Sequence, residues 1–197
     1  MNKFALWMRP WALAAAVAGM TLGTCFEAQA ALNAYLKLKG QKQGDIKGSV
    51  VRKGREGAIA VIAVHHEIVS PRDAASGLPT GKRMHKPFVI TKQLDSSTPL
   101  LYKAMIGDEL LPEVELTVFA AGDKVAKTPL YTVKLRNASI SEIRLVTTDG
   151  VDTTEVSFTY QKIEWTWTEG GITADDDWET PVAVAPTKPP TKPKPKI

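Results

Sequence analysis

Three histidines, three spaced glutamates and a run of three aspartates are the residues of this 197-residue chain whose types could carry chemistry. His65 and His66 are adjacent on a strand-like segment, so their side chains point to opposite faces and cannot share one metal ion. His85 could join one of them, but no carboxylate stands at a spacing that completes a site, and ordinary strand histidines are the simpler reading. Glu109, Glu113 and Glu115 have the type needed for paired acid–base work on a glycoside. Their places at a helix end and along a strand fit solvated positions better. Asp175-Asp176-Asp177 lacks the alternating spacing and turn glycine of a calcium loop and reads as a solvated acidic run. Gly77-x-x-x-Gly81-Lys82-Arg83 misses a phosphate-binding loop by one residue of spacing, and Arg83 stands where the magnesium-holding hydroxyl belongs. No Gly-x-Ser-x-Gly elbow is present. Trp165 and Trp167 share one strand face, where packing in a core or between subunits is the default. No catalytic residue, metal site or cofactor follows from these residues.

The elements that would position them are mostly strands. Leu32, Ala34, Leu36 and Leu38 alternate with polar residues, as do Val114, Leu116 and Val118, and then Tyr131, Val133 and Leu135. Ala58 to Val64 is apolar on both parities, which predicts cover on both faces of its first half. The buried parity changes between Val156-x-Phe158-x-Tyr160 and Ile163-x-Trp165-x-Trp167, and a one-residue slip inverts the buried face. A bulge or sharp bend is therefore expected near Gln161-Lys162, and a second near Asn137–Ser141, as in sheets that close into barrels. Thr98-Pro99 reads as an N-cap followed by a first-turn proline. Leu100, Leu101, Ala104 and Met105 make one helical face, with Gly107 placed to end the helix in a left-handed conformation. The polar segments 39–57 and 70–87 are too long for structureless connections in a small domain, which marks them as functional or disordered. The fold class expected is mainly β: a small closed barrel of antiparallel strands carrying one short α-helix.

Length allows one ordinary domain or at most two small ones. Setting aside the two bases and one acid of residues 1–30 and the four lysines of 181–197 leaves 19 basic and 20 acidic residues over 31–180. The basic pI belongs to the ends, so no nucleic-acid partner is expected. Cys25 is the only cysteine and lies near the N-terminus, which excludes disulfides and Cys-based zinc from the body. Residues 1–30 have the form of a secretory leader: Lys3 and Arg9, an uncharged run from Trp11 to Gly23, then Ala28-Gln29-Ala30. Cleavage between Ala30 and Ala31 is expected, with no stable membrane insertion once the leader is gone. From Pro181 the chain holds six of its 13 prolines, a basic polyproline-like tail.

Several runs, in order, carry a family resemblance. They are Leu32-Asn33-Ala34-Tyr35-Leu36-Lys37-Leu38-Lys39-Gly40, His66-Glu67-Ile68-Val69-Ser70-Pro71-Arg72-Asp73 and Thr80-Gly81-Lys82-Arg83. His85-Lys86-Pro87 and Val156 through Trp167 follow, then Gly170-Gly171 and Asp176-Asp177-Trp178. Together they span nearly all of 31–180 in order, and the chain resembles the haemolysin-coregulated protein (Hcp) family of bacterial type VI secretion. The resemblance implies a fold related to phage tail-tube proteins and a non-enzymatic role. Its subunits form six-membered rings that stack into an inner tube, which a sheath expels with effectors held in the lumen. The family's long loop corresponds to Ser70–Lys86, which makes Arg72, Asp73, Lys82 and Arg83 candidate subunit-interface contacts. Two departures stand out. The family normally begins near residue 31 and stops near Trp178, so the leader and the tail are additions. A genuine leader would instead fit an exported paralogue acting as a periplasmic or surface binding module.

Overall fold

The computed structural model describes residues 33–120, 128–148 and 150–178. The cleavage position expected at Ala30 and Ala31, and the tail from Pro181, lie outside the described residues. In chain order the elements are β1 (Ala34–Gly40), β2 (Gly44–Ile46), β3 (Ile59–Val61), β4 (Ala63–His65), β5 (Ile68–Val69), β6 (Met84–His85) and β7 (Phe88–Gln93). Then come α1 (Thr98–Ile106), β8 (Leu111–Val118), β9 (Tyr131–Thr148), β10 (Val151–Thr159), β11 (Lys162–Trp167) and β12 (Ile172–Asp177). The fold is mainly β with one short helix. No helix among the described residues is long and apolar enough to cross a membrane.

All pairings among the described residues are antiparallel; the large sheet runs β2-β1-β8-β9-β10-β7-β4, with β3 also on β1 and β11 between β9 and β12, and β5-β6 form a separate two-stranded sheet. Segment 59–65 reaches both ends of this path. Its first half pairs Leu36 with Ile59, and its second pairs Val64 with Ile90. Between them the Ile62 amide donates to the Thr91 carbonyl at 2.8 Å.

The two parity changes are real bends. β9 is long enough to pair with β11 through Tyr131–Arg136 and with β10 through Ser139–Thr148, so β10 and β11 are two halves of one ribbon broken at Tyr160-Gln161. On β9, Ser157 faces Glu142 while Phe158 faces Ile140, which leaves Ser141 as an extra residue. Asn137, at φ 48°, takes the left-handed conformation close by.

Inward side chains of these strands form one core, with Leu36, Ile59, Ile90, Val114, Leu135, Phe158 and Ile163 fully buried. α1 closes over it with Leu101 and Ala104, and burying a leucine contributes about 1.5–3 kcal/mol.

Three expectations need correction. The N-cap position is Ser97, one residue earlier than read, and its side chain makes no capping hydrogen bond. The Thr98 hydroxyl is occupied by Lys92 Nζ at 2.8 Å and the Asp95 amide at 3.2 Å, so it cannot cap. Gly107 sits at φ −88°, and the left-handed residue is Asp108 at φ 43°. The reversal falls one residue later, where the Glu109 amide reaches back to the Ala104 carbonyl at 2.9 Å. Finally, β3 buries Ile59 and Val61 but exposes Ala60, and Ile62 beyond it is 43% exposed. The chain alone covers only one face of this doubly apolar strand.

Candidate functional site

The polar segment after β5 is an ordered arm. At its base Ile68 pairs with His85 and Val69 with Met84, and the Lys86 amide donates to the Glu67 carbonyl at 2.9 Å. Further out, the Thr80 amide reaches the Pro71 carbonyl at 3.0 Å and the Asp73 amide reaches the Leu78 carbonyl at 2.8 Å. The tip closes on Asp73, whose Oδ1 accepts from the Ser76 amide and hydroxyl, both at 2.7 Å. These hydrogen bonds, led by the Ser76 hydroxyl, hold the Asp73 carboxyl below the ordinary aspartate value. Gly77 turns the chain at φ 69°, and Arg72 Nη1 donates to its carbonyl at 3.1 Å.

Beneath the arm lies a polar cluster that sequence reasoning missed. Tyr160, at the bend between β10 and β11, places its hydroxyl 2.6 Å from His66 Nε2 and 2.9 Å from His85 Nδ1. His85 Nε2 lies 2.7 Å from Oδ2 of Asp176 on β12. Arg83 grips both oxygens of that carboxylate and donates to the Asp177 carbonyl at 3.3 Å. Aromatic rings wall the cluster, with Phe88 centred 5.3 Å from His66 and Trp178 5.3 Å from His85. Burial, then the neighbouring His85 and His65, holds His66 below the ordinary histidine value. Burial, then Arg83, does the same for His85. Burial pushes the Tyr160 phenol up, so the cluster is built for neutral rings. A cavity of about 400 Å³ opens beside it, lined by His85, Lys86, Pro87, Tyr160, Gln161 and Trp178 among others.

The four candidate contacts therefore separate. Arg72 and Asp73 shape the arm's tip, Arg83 fixes its base, and Lys82 is exposed without a hydrogen bond or ion pair among the described residues. His65 stays exposed while His66 turns inward, consistent with opposite faces. Asp176 is only 15% exposed and paired, and Asp175 pairs with Lys162 at 2.7 Å, so this run is not simply solvated. No local signal in the sequence marks this: the six-residue strand Ile172–Asp177 faces β11 residue for residue only in the fold.

The glutamates also separate. Glu113 and Glu115 pair across the sheet with Arg136 and Lys134. Glu109 is buried, not solvated as expected. It accepts from the Lys42 and Gln43 amides at 2.6 Å each and from Gln43 Nε2 at 2.8 Å. Burial opposes its ionised form, yet the Gln43 and Lys42 hydrogen bonds hold it below the ordinary glutamate value. It is a structural anchor for the β1–β2 turn. Trp165 packs against the core while Trp167 is 40% exposed.

A family model described as "Type VI secretion system effector, Hcp" matches residues 35–167. The "Major exported protein" of Pseudomonas aeruginosa is 36% identical over 167 residues, covering 76% of this chain and 97% of that one. Among solved structures, the Hcp1 protein from the E. coli EAEC 042 pathovar is 37% identical at a TM-score of 0.69, covering 75% of this chain and 99% of that one. The secreted protein Hcp3 from Pseudomonas aeruginosa is 32% identical at 0.61, covering 74% and 99%.

Proposed function

The chain belongs to the Hcp family of type VI secretion proteins, and from that premise we propose that it is a structural subunit of the inner tube. In this reading six copies form a ring, rings stack, and the tube is exported with effectors in its lumen. No step of this role is catalytic. The observation that carries the reading is the strand from Ala58 to Val64. It is apolar on both parities, yet Ala60 and Ile62 remain uncovered in the subunit. A strand face of that kind fits a neighbouring copy. The same segment, pairing with β1 at one end and β7 at the other, supports closure of the sheet into a barrel over a single domain spanning 31–180.

The arm supplies the contact between rings. Arg72 and Asp73 preform its tip, Arg83 sets its angle, and Lys82 offers a charge to the next ring. A preformed arm loses little entropy on docking. The test is the native mass and electron-microscopic appearance of the purified full chain. Six-membered rings that stack support the role, and a monomer at high concentration refutes it.

The leader favours a second reading, a Sec-exported paralogue that kept the fold as a periplasmic or surface binding module. Sequencing the N-terminus in each cell fraction separates the two. A periplasmic chain starting at Ala31 supports export, and a cytoplasmic ring lacking a cut there supports the tube.

A further inference from the structure

We propose that His66, Tyr160, His85 and Asp176 form an acid-operated latch on the arm, closed at neutral pH and opened by protonation of the imidazoles, so that ring stacking weakens in acid. The stacking consequence rests on the arm being the contact between rings; the latch itself does not.

The argument is a proton inventory. Asp176 Oδ2, 2.7 Å from His85 Nε2, fixes the His85 proton on that nitrogen. Nδ1 of His85 is then an acceptor, and the hydroxyl of Tyr160 at 2.9 Å must donate to it. A phenol has one proton, so His66 Nε2, 2.6 Å away, must be the donor to the Tyr160 oxygen. The chain therefore runs in one direction, from His66 through Tyr160 and His85 to Asp176. A proton arriving at His85 Nδ1 turns the acceptor into a donor. The Tyr160 hydroxyl must then turn to His66 Nε2, which requires the His66 tautomer protonated at Nδ1; once His66 is also protonated, two N–H groups face one phenol oxygen and the buried hydroxyl's own proton loses its acceptor in the cluster.

Charge points the same way. The groups acting on His85 are Arg83 on its own segment, Tyr160 at the bend, His66 from the link between β4 and β5, and Asp176 on β12, with Lys86 lining the same cavity. His65 adds to the field on His66. Asp176 favours a charged His85, but Arg83 already grips both of its oxygens. The rings of His66 and His85 are centred 6.4 Å apart, so two charged imidazoles would repel each other. Tyr160 cannot relieve them by ionising, because burial pushes its phenol up. Both imidazoles lie below 6.5 in the folded chain, so their stabilisation is complete above that value and is lost as pH falls through their lowered values.

The location makes this a latch. His85 is itself a residue of β6, paired with Ile68, and the Lys86 amide completes the base of the arm. Tyr160 and Asp176 belong to the bend and to β12, so each hydrogen bond ties the arm to a different part of the fold.

The test is hydrogen–deuterium exchange of the full chain at pH 7.5 and 5.5, corrected for the intrinsic pH dependence of exchange. Ring stacking is followed in parallel by sedimentation. Residues 67–69 and 84–86 should exchange at least tenfold faster at pH 5.5, with β8 and β9 unchanged. The double variant His66→Gln, His85→Asn keeps a donor and an acceptor for Tyr160 but cannot titrate, and its arm should exchange alike at both values. Equal exchange of the wild-type arm at both values overturns the latch, as does undiminished pH dependence in the double variant. If that variant does not fold, 15N spectra of histidine-labelled wild type decide. Both rings protonated at Nε2 alone at pH 7.5 support the latch, and any other tautomer overturns it. Acid opening without loss of stacking keeps the latch and overturns the arm as the ring contact.

Discussion

A β-carbon built on Gly40 would lie 2.3 Å from Oε1 of Glu109 and 2.8 Å from its Cδ. The end of β1 and the carboxylate after α1 are therefore fitted to each other, and that carboxylate organises the β1–β2 turn through Lys42 and Gln43. Gly40→Ala should push Glu109 off these donors and cost about 1–3 kcal/mol in urea unfolding. Glu109→Gln should cost a similar amount, because its amide nitrogen would replace Oε2 opposite the Gln43 Nε2 donor and the two turn amides would lose a charged acceptor. Glu109 lies below its ordinary value of 4.5, so its stabilisation is present above that pH and lost as pH falls further. A wild-type acid-unfolding curve that Glu109→Gln leaves unshifted would contradict this.

The side chain of Lys92 is wholly buried beside the start of α1, with Nζ 2.9 Å from Asp95 Oδ1 and 2.7 Å from the Gln93 carbonyl. Removing Asp95 strands this ammonium. Asp95→Ala should cost about 3 kcal/mol, the low end of the range for a broken buried pair, because Asp95 keeps 15% of its side chain exposed. Lys92→Met combined with Asp95→Asn should recover most of that loss. Thermal unfolding of the two variants reads the difference directly, and a double variant no better than Asp95→Ala would refute it.

These anchors show where the sequence was readable. Alternation gave the strands, and the two parity changes gave the bends at Gln161 and Asn137 to Ser141, because strand sidedness is a local property of the chain. The helix ends differ by a residue, because the Thr98 hydroxyl is taken by Lys92 and the amide that reaches back to the Ala104 carbonyl is that of Glu109. The polar cluster was illegible for a stronger reason. His85 and Asp176 are 91 positions apart, and only the pairing of β12 on β11 brings that carboxylate under the arm. The runs shared with the Hcp family carried the family assignment, which periodicity alone did not reach.

Lys82 and Arg83 are neighbours with opposite commitments, and substitution should separate them. Arg83 is held by Asp176, with 32% of its side chain exposed. Arg83→Ala should cost about 1 kcal/mol of stability, a figure kept small by solvent screening. Lys82→Glu should change stability by no more than about 0.5 kcal/mol, yet abolish or greatly weaken ring stacking in sedimentation at low salt. Unaltered stacking in Lys82→Glu would remove Lys82 from the contact.

Ile62 offers the sharpest separation of assembly from folding. It follows Val61, which is 3% exposed and part of the core, but is itself 43% exposed in the isolated subunit. Its amide is already satisfied by the Thr91 carbonyl, so changing the side chain leaves the sheet's hydrogen bonds intact. Ile62→Lys should therefore shift subunit stability by no more than about 0.5 kcal/mol. If this face meets a neighbouring copy, the same change places an unpaired charge in an apolar interface and should collapse the native mass from ring to monomer. Light scattering and thermal unfolding of one sample give both answers. A stable ring in Ile62→Lys would place the subunit contact elsewhere and leave the apolar outer face of this strand without its partner.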